Sequence, residues 1–160
     1  MLPFKKIICP IDFSEPSYAA LTAANGIAQK CQSEMILVHV VTPIPIIPVP
    51  DAPTSFNIPS YEKEMIASAT KQLHQVRAER VAENVQAQVM VLQGDPAVEI
   101  VRKATEENVD LIVIATHGLT GWRKFIFGSV TEKVIRFAGC PVLSIRVRPD
   151  EGQSDADDPE

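Results

Sequence analysis

Apolar residues along this chain fall into short continuous runs, which alternate with stretches that have helical spacing. Continuous runs cover residues 6–11, 35–41 and 109–115. Runs of this length are typical of strands that are buried on both faces of a parallel sheet. Residues 85–92 alternate between apolar and polar, which indicates an edge strand. A last apolar run at 141–147 predicts a fifth strand.

Four stretches with helical spacing separate these strands. They cover residues 18–30, 60–83 and 96–107, and a last stretch that begins near Ser129. The alternation predicts an α/β fold, namely a single-domain, five-stranded, parallel, doubly wound sheet with helices on both faces. Ligands of such sheets bind outside the carboxyl ends of the strands, where the winding reverses. The residues that follow strands one, two and four are therefore the candidates for a site.

A segment that contains glycines links the fourth strand to the last helix. It includes Gly118 and ends at Gly128 and Ser129. Ser129 and Glu132 have the spacing of a capping box, and Gly139 follows as a C-terminal glycine. A helix N-terminus offers unpaired N–H groups to an anion, and glycines let the backbone approach a phosphate. These residues predict either a phosphate site or a plain loop before a well-capped helix.

The same segment resembles the nucleotide-binding signature of the universal stress protein family. In that signature a glycine, two residues and a second glycine are followed by nine residues, a third glycine, and serine or threonine. The register that fits this chain is Ala115, Gly118, Gly128 and Ser129. Alanine therefore stands at position 115, where the family has its first glycine.

The resemblance covers nearly the whole chain. Residues 8–15 are similar to the family's first strand and acidic turn, and residues 35–40 to its second strand. Residues 128–134 and 140–143 are similar to its closing helix and strand. The resemblance implies the ATP-binding branch of the family, with an adenine nucleotide alpha hydrolase-like fold and strand order 3-2-1-4-5.

The family's site residues fall on eleven positions of this chain, in two groups. The resemblance implies that the first group lines the adenosine, with Val40 bonding adenine through its backbone. This group is Pro10, Ile11, Asp12, Val40, Ile114 and Ala115. The second group would hold the phosphates, and it is Gly118, Gly128, Ser129, Val130 and Thr131. The ligand would be ATP, or AMP or ADP, with Mg²⁺ held by the phosphates.

The residues by themselves leave a second role open for Asp12, that of an N-terminal cap or turn former. The residue types also bear on whether a bound nucleotide would be hydrolysed quickly. The sequence has no GxxxxGK[ST] motif, and it offers no Ser-His-Asp set with suggestive spacing. We therefore predict a regulatory module of the stress response that binds adenine nucleotide and is not a fast enzyme. A slow ATPase and a non-nucleotide-binding interaction protein of the same fold are the alternatives.

Composition divides the chain of 160 residues into three parts. The predicted domain covers 1–148, and a proline-rich segment at 42–59 reads as a stiff surface loop within it. The tail at 149–160 holds six acidic residues and no basic one, and is predicted to be disordered. Without that tail the net charge of −5 becomes near neutral, so no nucleic-acid surface is predicted.

Location and assembly are the last expectations. No apolar run is long enough to span a membrane, and the N-terminus lacks a signal-peptide pattern, so we expect a cytoplasmic protein without membrane insertion. The three cysteines form no metal-binding pattern. The resemblance implies a homodimer that pairs through the last strand, between Pro141 and Val147. An unknown protein partner remains open.

Overall fold

A computed structural model describes residues 4–43, 58–116 and 128–147, without the side chain of Ile58. The strands of its sheet are β1 (Lys6–Pro10), β2 (Glu34–Val41), β3 (Ala87–Gln93), β4 (Leu111–Ala115) and β5 (Val142–Ile145). The helices between them are α1 (Glu15–Cys31), α2 (Ile58–Arg80), α3 (Pro96–Glu106) and α4 (Ser129–Phe137).

All five strands are parallel, and their order in the sheet is β3-β2-β1-β4-β5. The predicted α/β sheet and its strand order are therefore confirmed. The chain winds outward from β1 through β2 to β3, and then returns to the other side of β1 for β4 and β5. The reversal lies between β1 and β4, which is where ligands bind in open sheets of this kind.

The core consists of two apolar clusters, one on each face of the sheet. Ile7, Cys9 and Ile11 pack with residues of α1 and α2 on one face. Ile8 packs with residues of α3 and α4 on the other face. All five residues of β4 are buried, because helices cover both of its faces. Successive strand residues point to opposite faces, so continuous apolar runs supply both clusters.

Two helix starts agree with their sequence signals, whereas the start of α4 does not. Ser14 caps α1 and Asp95 caps α3. The capping box at Ser129 is wrong: Gly128 is the N-cap of α4, without a side-chain hydrogen bond, and Ser129 is the first helical residue. The predicted C-terminal glycine of α4, Gly139, directly follows the extended C-cap residue Ala138, although among the described glycines only Gly94 has positive φ.

Several boundaries differ from the predicted ones by two or three residues. Helix α2 covers Ile58–Arg80, not 60–83, and β3 begins at Ala87, not at 85. Beyond the end of α2, the Ala82 N–H donates to the side chain of Asn25, 3.1 Å away. That side chain lies on another helix, so the local pattern carried no signal for it. Most of the proline-rich segment and the whole acidic tail lie outside the described residues, and remain predictions.

Candidate functional site

A pocket of about 370 Å³ lies at the carboxyl edge of the sheet, where the winding reverses. It is bounded by the ends of β1, β2 and β4 and by the first turns of α1, α3 and α4. Ten of the eleven predicted site residues line it, which are Pro10, Ile11, Asp12, Val40, Ile114, Ala115, Gly128, Ser129, Val130 and Thr131. Gly118, the eleventh, lies outside the described residues.

The pocket opens because β1 stops pairing with its neighbours. Strand β1 pairs with β4 only at Ile7 and Ile8. Pro10 has no N–H and therefore cannot donate to a further bond of that ladder. On the other side, the Ile11 N–H donates to the Val38 carbonyl at 2.8 Å, one residue beyond the end of β1. The chain then turns away from the sheet and leaves a crevice.

The turn between β1 and α1 is held by its own side chains. Oδ1 of Asp12 accepts hydrogen bonds from the Ser14 N–H, at 3.1 Å, and from the Ser14 hydroxyl. Phe13, between them, has a left-handed backbone with φ of 64°. The Ser14 oxygen in turn accepts from the Ser17 N–H. Asp12 is thus a turn former, as its alternative role predicted, and it also lines the pocket.

The start of α4 is fixed to the end of β4. The Gly128 N–H donates to the Thr116 carbonyl at 2.7 Å, and the Thr131 hydroxyl donates to the Ala115 carbonyl at 2.7 Å. The Thr131 hydroxyl is buried and its proton is donated to that carbonyl, so a contact between Thr131 and the phosphates stays a prediction. What α4 offers is backbone: the first N–H groups of a helix have no acceptor within the helix.

Ala115 occupies the position where the family signature has glycine. Its side chain is buried, with 6% exposure, and packs into the core cluster beside α1 and α2. The methyl group therefore contributes to the core on that face of the sheet. The backbone of the same residue accepts the Thr131 hydrogen bond described above.

Six lining residues were not among the predicted site residues, which are Ser17, Val38, His39, Thr42, Pro96 and Ile100. Val38, His39 and Thr42 flank Val40 at the carboxyl end of β2, so their position after strand two was an available signal. Pro96 and Ile100 belong to α3. Only the packing of α3 over the sheet places them here, so the sequence carried no signal for them.

The electrostatics of the pocket favour an anion. Helices α1, α3 and α4 all begin at its wall, and each helix N-terminus carries the positive end of a dipole. Among the described lining residues, Asp12 is the only carboxylate. Asp95 at the start of α3 accepts a hydrogen bond from the Val98 N–H, which lowers the pKa of its carboxyl group. The described residues contain no cluster of three or more metal-ligating side chains.

The sequence matches one family of known proteins over most of its length. Residues 3–146 match the model of the Universal stress protein family. Universal stress protein YxiE from Bacillus subtilis is 33% identical over 148 residues, which cover 89% of this chain and 99% of that protein.

Two solved structures have similar folds. The structure of hypothetical protein MJ0577, from Methanocaldococcus jannaschii, superposes with a TM-score of 0.78 at 25% identity, and the match covers 93% of this chain and 100% of that one. A universal stress protein from Archaeoglobus fulgidus, in complex with dAMP, gives a TM-score of 0.55 at 21% identity, with coverage of 89% and 98%. At that identity the second match shows the fold alone. None of the described helices is long and apolar enough to cross a membrane.

Proposed function

The chain belongs to the universal stress protein family, and from that premise we propose that it is a cytoplasmic regulatory module that binds an adenine nucleotide, ATP in the first place. The observation that carries the proposal is the convergence of ten predicted site residues, from four separate segments, on one pocket. A relative of the same fold has been solved with dAMP. That protein's ligand supports the choice of an adenine nucleotide.

The pocket fits this ligand in size and in chemistry. Its volume of about 370 Å³ falls within the range of small-molecule sites. Apolar side chains from the sheet and α3, such as Val38, Ile100 and Ile114, form walls that suit a planar base. The N-terminus of α4 supplies backbone N–H groups and a positive dipole end for the phosphates. Base and phosphates therefore bind at chemically different ends.

We further propose that turnover is slow or absent. A fast phosphoryl-transfer site needs groups that orient the attacking water and hold metal ions on the phosphates. In the described wall Asp12 is the only carboxylate, and its Oδ1 already accepts two hydrogen bonds from Ser14. Mg²⁺ would then arrive with the nucleotide and be held mainly by its phosphates. The alternative is a slow ATPase, and an assay of ATP hydrolysis distinguishes it from a protein that only binds the nucleotide.

Substituting Ser129 tests the phosphate end without disturbing the fold. Ser129 is the first helical residue of α4, where proline is favoured, and the ψ of 157° at Gly128 suits a residue before proline. Ser129→Pro removes one backbone N–H, whereas Ser129→Ala, the matched control, removes only the hydroxyl. We expect Ser129→Pro to weaken ATP binding by about tenfold to a hundredfold and to leave adenosine binding unchanged.

Isothermal titration with ATP and with adenosine measures these effects, after mass spectrometry of any ligand that copurifies. If the wild type neither carries nor binds adenine nucleotide, the binding proposal fails and the interaction-protein alternative replaces it. If Ser129→Pro binds ATP as tightly as Ser129→Ala does, the phosphates do not lie at α4. Phosphate release by the wild type that is lost in Asp12→Ala would support the slow ATPase.

We also propose that the chain forms a homodimer through β5. This strand lies at one edge of the sheet. Leu143 within it and Val147, two residues beyond its end, expose 37% and 45% of their surface. An apolar, unpaired strand edge is a liability unless another strand covers it, and a second copy of β5 would do so. We expect a dimer by light scattering at tens of micromolar and a monomer for Leu143→Lys. A monomeric wild type would refute the proposal.

A further inference from the structure

The ladder between β1 and β2 ends in an unusual way. Pro10 lies opposite Val38 in the register, and the Ile11 N–H donates to the Val38 carbonyl. In a regular parallel ladder the next two bonds would join the Val40 N–H to the Ile11 carbonyl and the Phe13 N–H to the Val40 carbonyl. Neither bond occurs, although all three residues are described.

The side chain of His39 forms a hydrogen bond with the acceptor that this ladder would use, the Ile11 carbonyl. Its Nδ1 lies 2.7 Å from the Ile11 carbonyl oxygen. A carbonyl can only accept, so Nδ1 carries the proton and donates it. The imidazole ring also lies against the ring of Phe13, with centroids 4.6 Å apart. The left-handed backbone of Phe13 turns the chain away from β2 at this point.

The main chain of Val40 is therefore left open on the side of the pocket. Along a parallel strand, successive residues direct their N–H and C=O groups to alternate neighbours. The Val41 carbonyl accepts from the Gly94 N–H, at 3.0 Å, on the β3 side. Val40 consequently directs its N–H and C=O toward β1, whose chain has already turned away, and Val40 lines the pocket.

We infer that His39 is a positioning residue, which keeps the backbone N–H and C=O of Val40 available to the base of the ligand. The inference rests on the proposed adenine-nucleotide function. An adenine edge presents a ring nitrogen that accepts and an amine that donates, and these match one N–H and one C=O. Without the donor on His39, the Ile11 carbonyl would lose its partner. The Val40 N–H is the ladder donor next in line, so the ladder would extend and occupy that N–H.

Amide hydrogen exchange, followed by NMR on the ligand-free full chain, tests this arrangement directly. His39→Phe keeps a ring against Phe13 but has no donor, whereas His39→Asn keeps a donor the same number of bonds from the backbone. His74→Phe, at an exposed position of α2, controls for the loss of a histidine. In the wild type the Val40 N–H should exchange rapidly, unlike the ladder-bonded Val38 N–H. In His39→Phe it should slow by about tenfold or more, and in His39→Asn it should not.

A merely structural histidine would change stability without changing the exchange rate of this one amide. Slow exchange of the Val40 N–H in the ligand-free wild type would overturn the inference. That measurement uses the wild type alone, so it does not depend on the folding of any variant. Equal exchange rates in His39→Phe and His39→Asn would overturn it as well.

Titration with ATP separates this inference from the function on which it rests. We expect His39→Phe to bind ATP about tenfold more weakly than the wild type, and His39→Asn and His74→Phe to bind it nearly as tightly. If the wild type binds ATP and His39→Phe binds it equally well, the inference is wrong and the proposed function stands. If the wild type does not bind ATP, the proposed function fails, and the positioning role fails with it.

Discussion

Replacing Thr131 by valine removes one hydroxyl group and nearly preserves the shape of the side chain. In the native protein that hydroxyl donates to the Ala115 carbonyl at 2.7 Å, and Thr131 is only 4% exposed. The valine variant leaves a buried carbonyl without this donor, which costs about 1–3 kcal/mol of unfolding free energy. For a domain of this size, a loss of 2 kcal/mol lowers Tm by about 4–8 °C.

Urea unfolding followed by circular dichroism measures the change in free energy, and a thermal scan measures Tm. Thr131→Ser is the matched variant, because it keeps the hydroxyl and loses one buried methyl group, worth about 1 kcal/mol. We expect Thr131→Val to be less stable than Thr131→Ser. The opposite order, or a valine variant as stable as the wild type, would refute the role of this bond in fixing α4 to β4.

Three other predictions concern the groups around the sheet. Gly94→Ala should lower the unfolding free energy by about 1–3 kcal/mol in urea titration, because φ at Gly94 is 143° and a methyl there would lie 3.0 Å from the Glu99 side chain; an unchanged midpoint would refute this. Asp95→Asn keeps a capping oxygen but does not titrate. Because the pKa of Asp95 lies below its ordinary value of 3.8, its charge stabilises the fold above that value. The wild type should therefore lose its advantage over Asp95→Asn as pH falls through the lowered pKa, and a pH-independent difference would contradict this. Burial raises the pKa of Cys9 to about 12, so this thiol should resist an aromatic disulfide reagent at pH 8 until the protein is unfolded. Reaction of Cys9 in the native state would contradict its burial. Above pH 9 the thiol ionises in the unfolded chain but not in the native protein, so the unfolding free energy should decline there. An unfolding free energy that does not decline would also contradict the burial of Cys9.

Sequence patterns were sufficient for the fold because the apolar runs and the order of strands and helices all indicated the same parallel sheet. Continuous apolar runs identified β1, β2 and β4, whose burial on both faces requires them. The residue types after those strands pointed to the edge where the pocket lies. Local signals near chain turns were weaker, as the misplaced cap at Ser129 illustrates. A serine beside a glycine reads as an N-cap, but the bond from the Gly128 N–H to Thr116 sets the helix start one residue earlier than the cap requires.

The sequence by itself determined which residues follow the central strands, and hence that Asp12, Val40 and Ser129 belong to one edge of the sheet. Periodicity and chain order are sufficient for that, because parallel strands bring their carboxyl ends together. Only the tertiary structure decided what each group does there. The Thr131 hydroxyl donates to the Ala115 carbonyl at the end of β4, and Nδ1 of His39 donates to the Ile11 carbonyl. Ile100 of α3 forms part of the pocket wall. These contacts join residues far apart in the chain, and their geometry depends on register and packing, which no local pattern encodes.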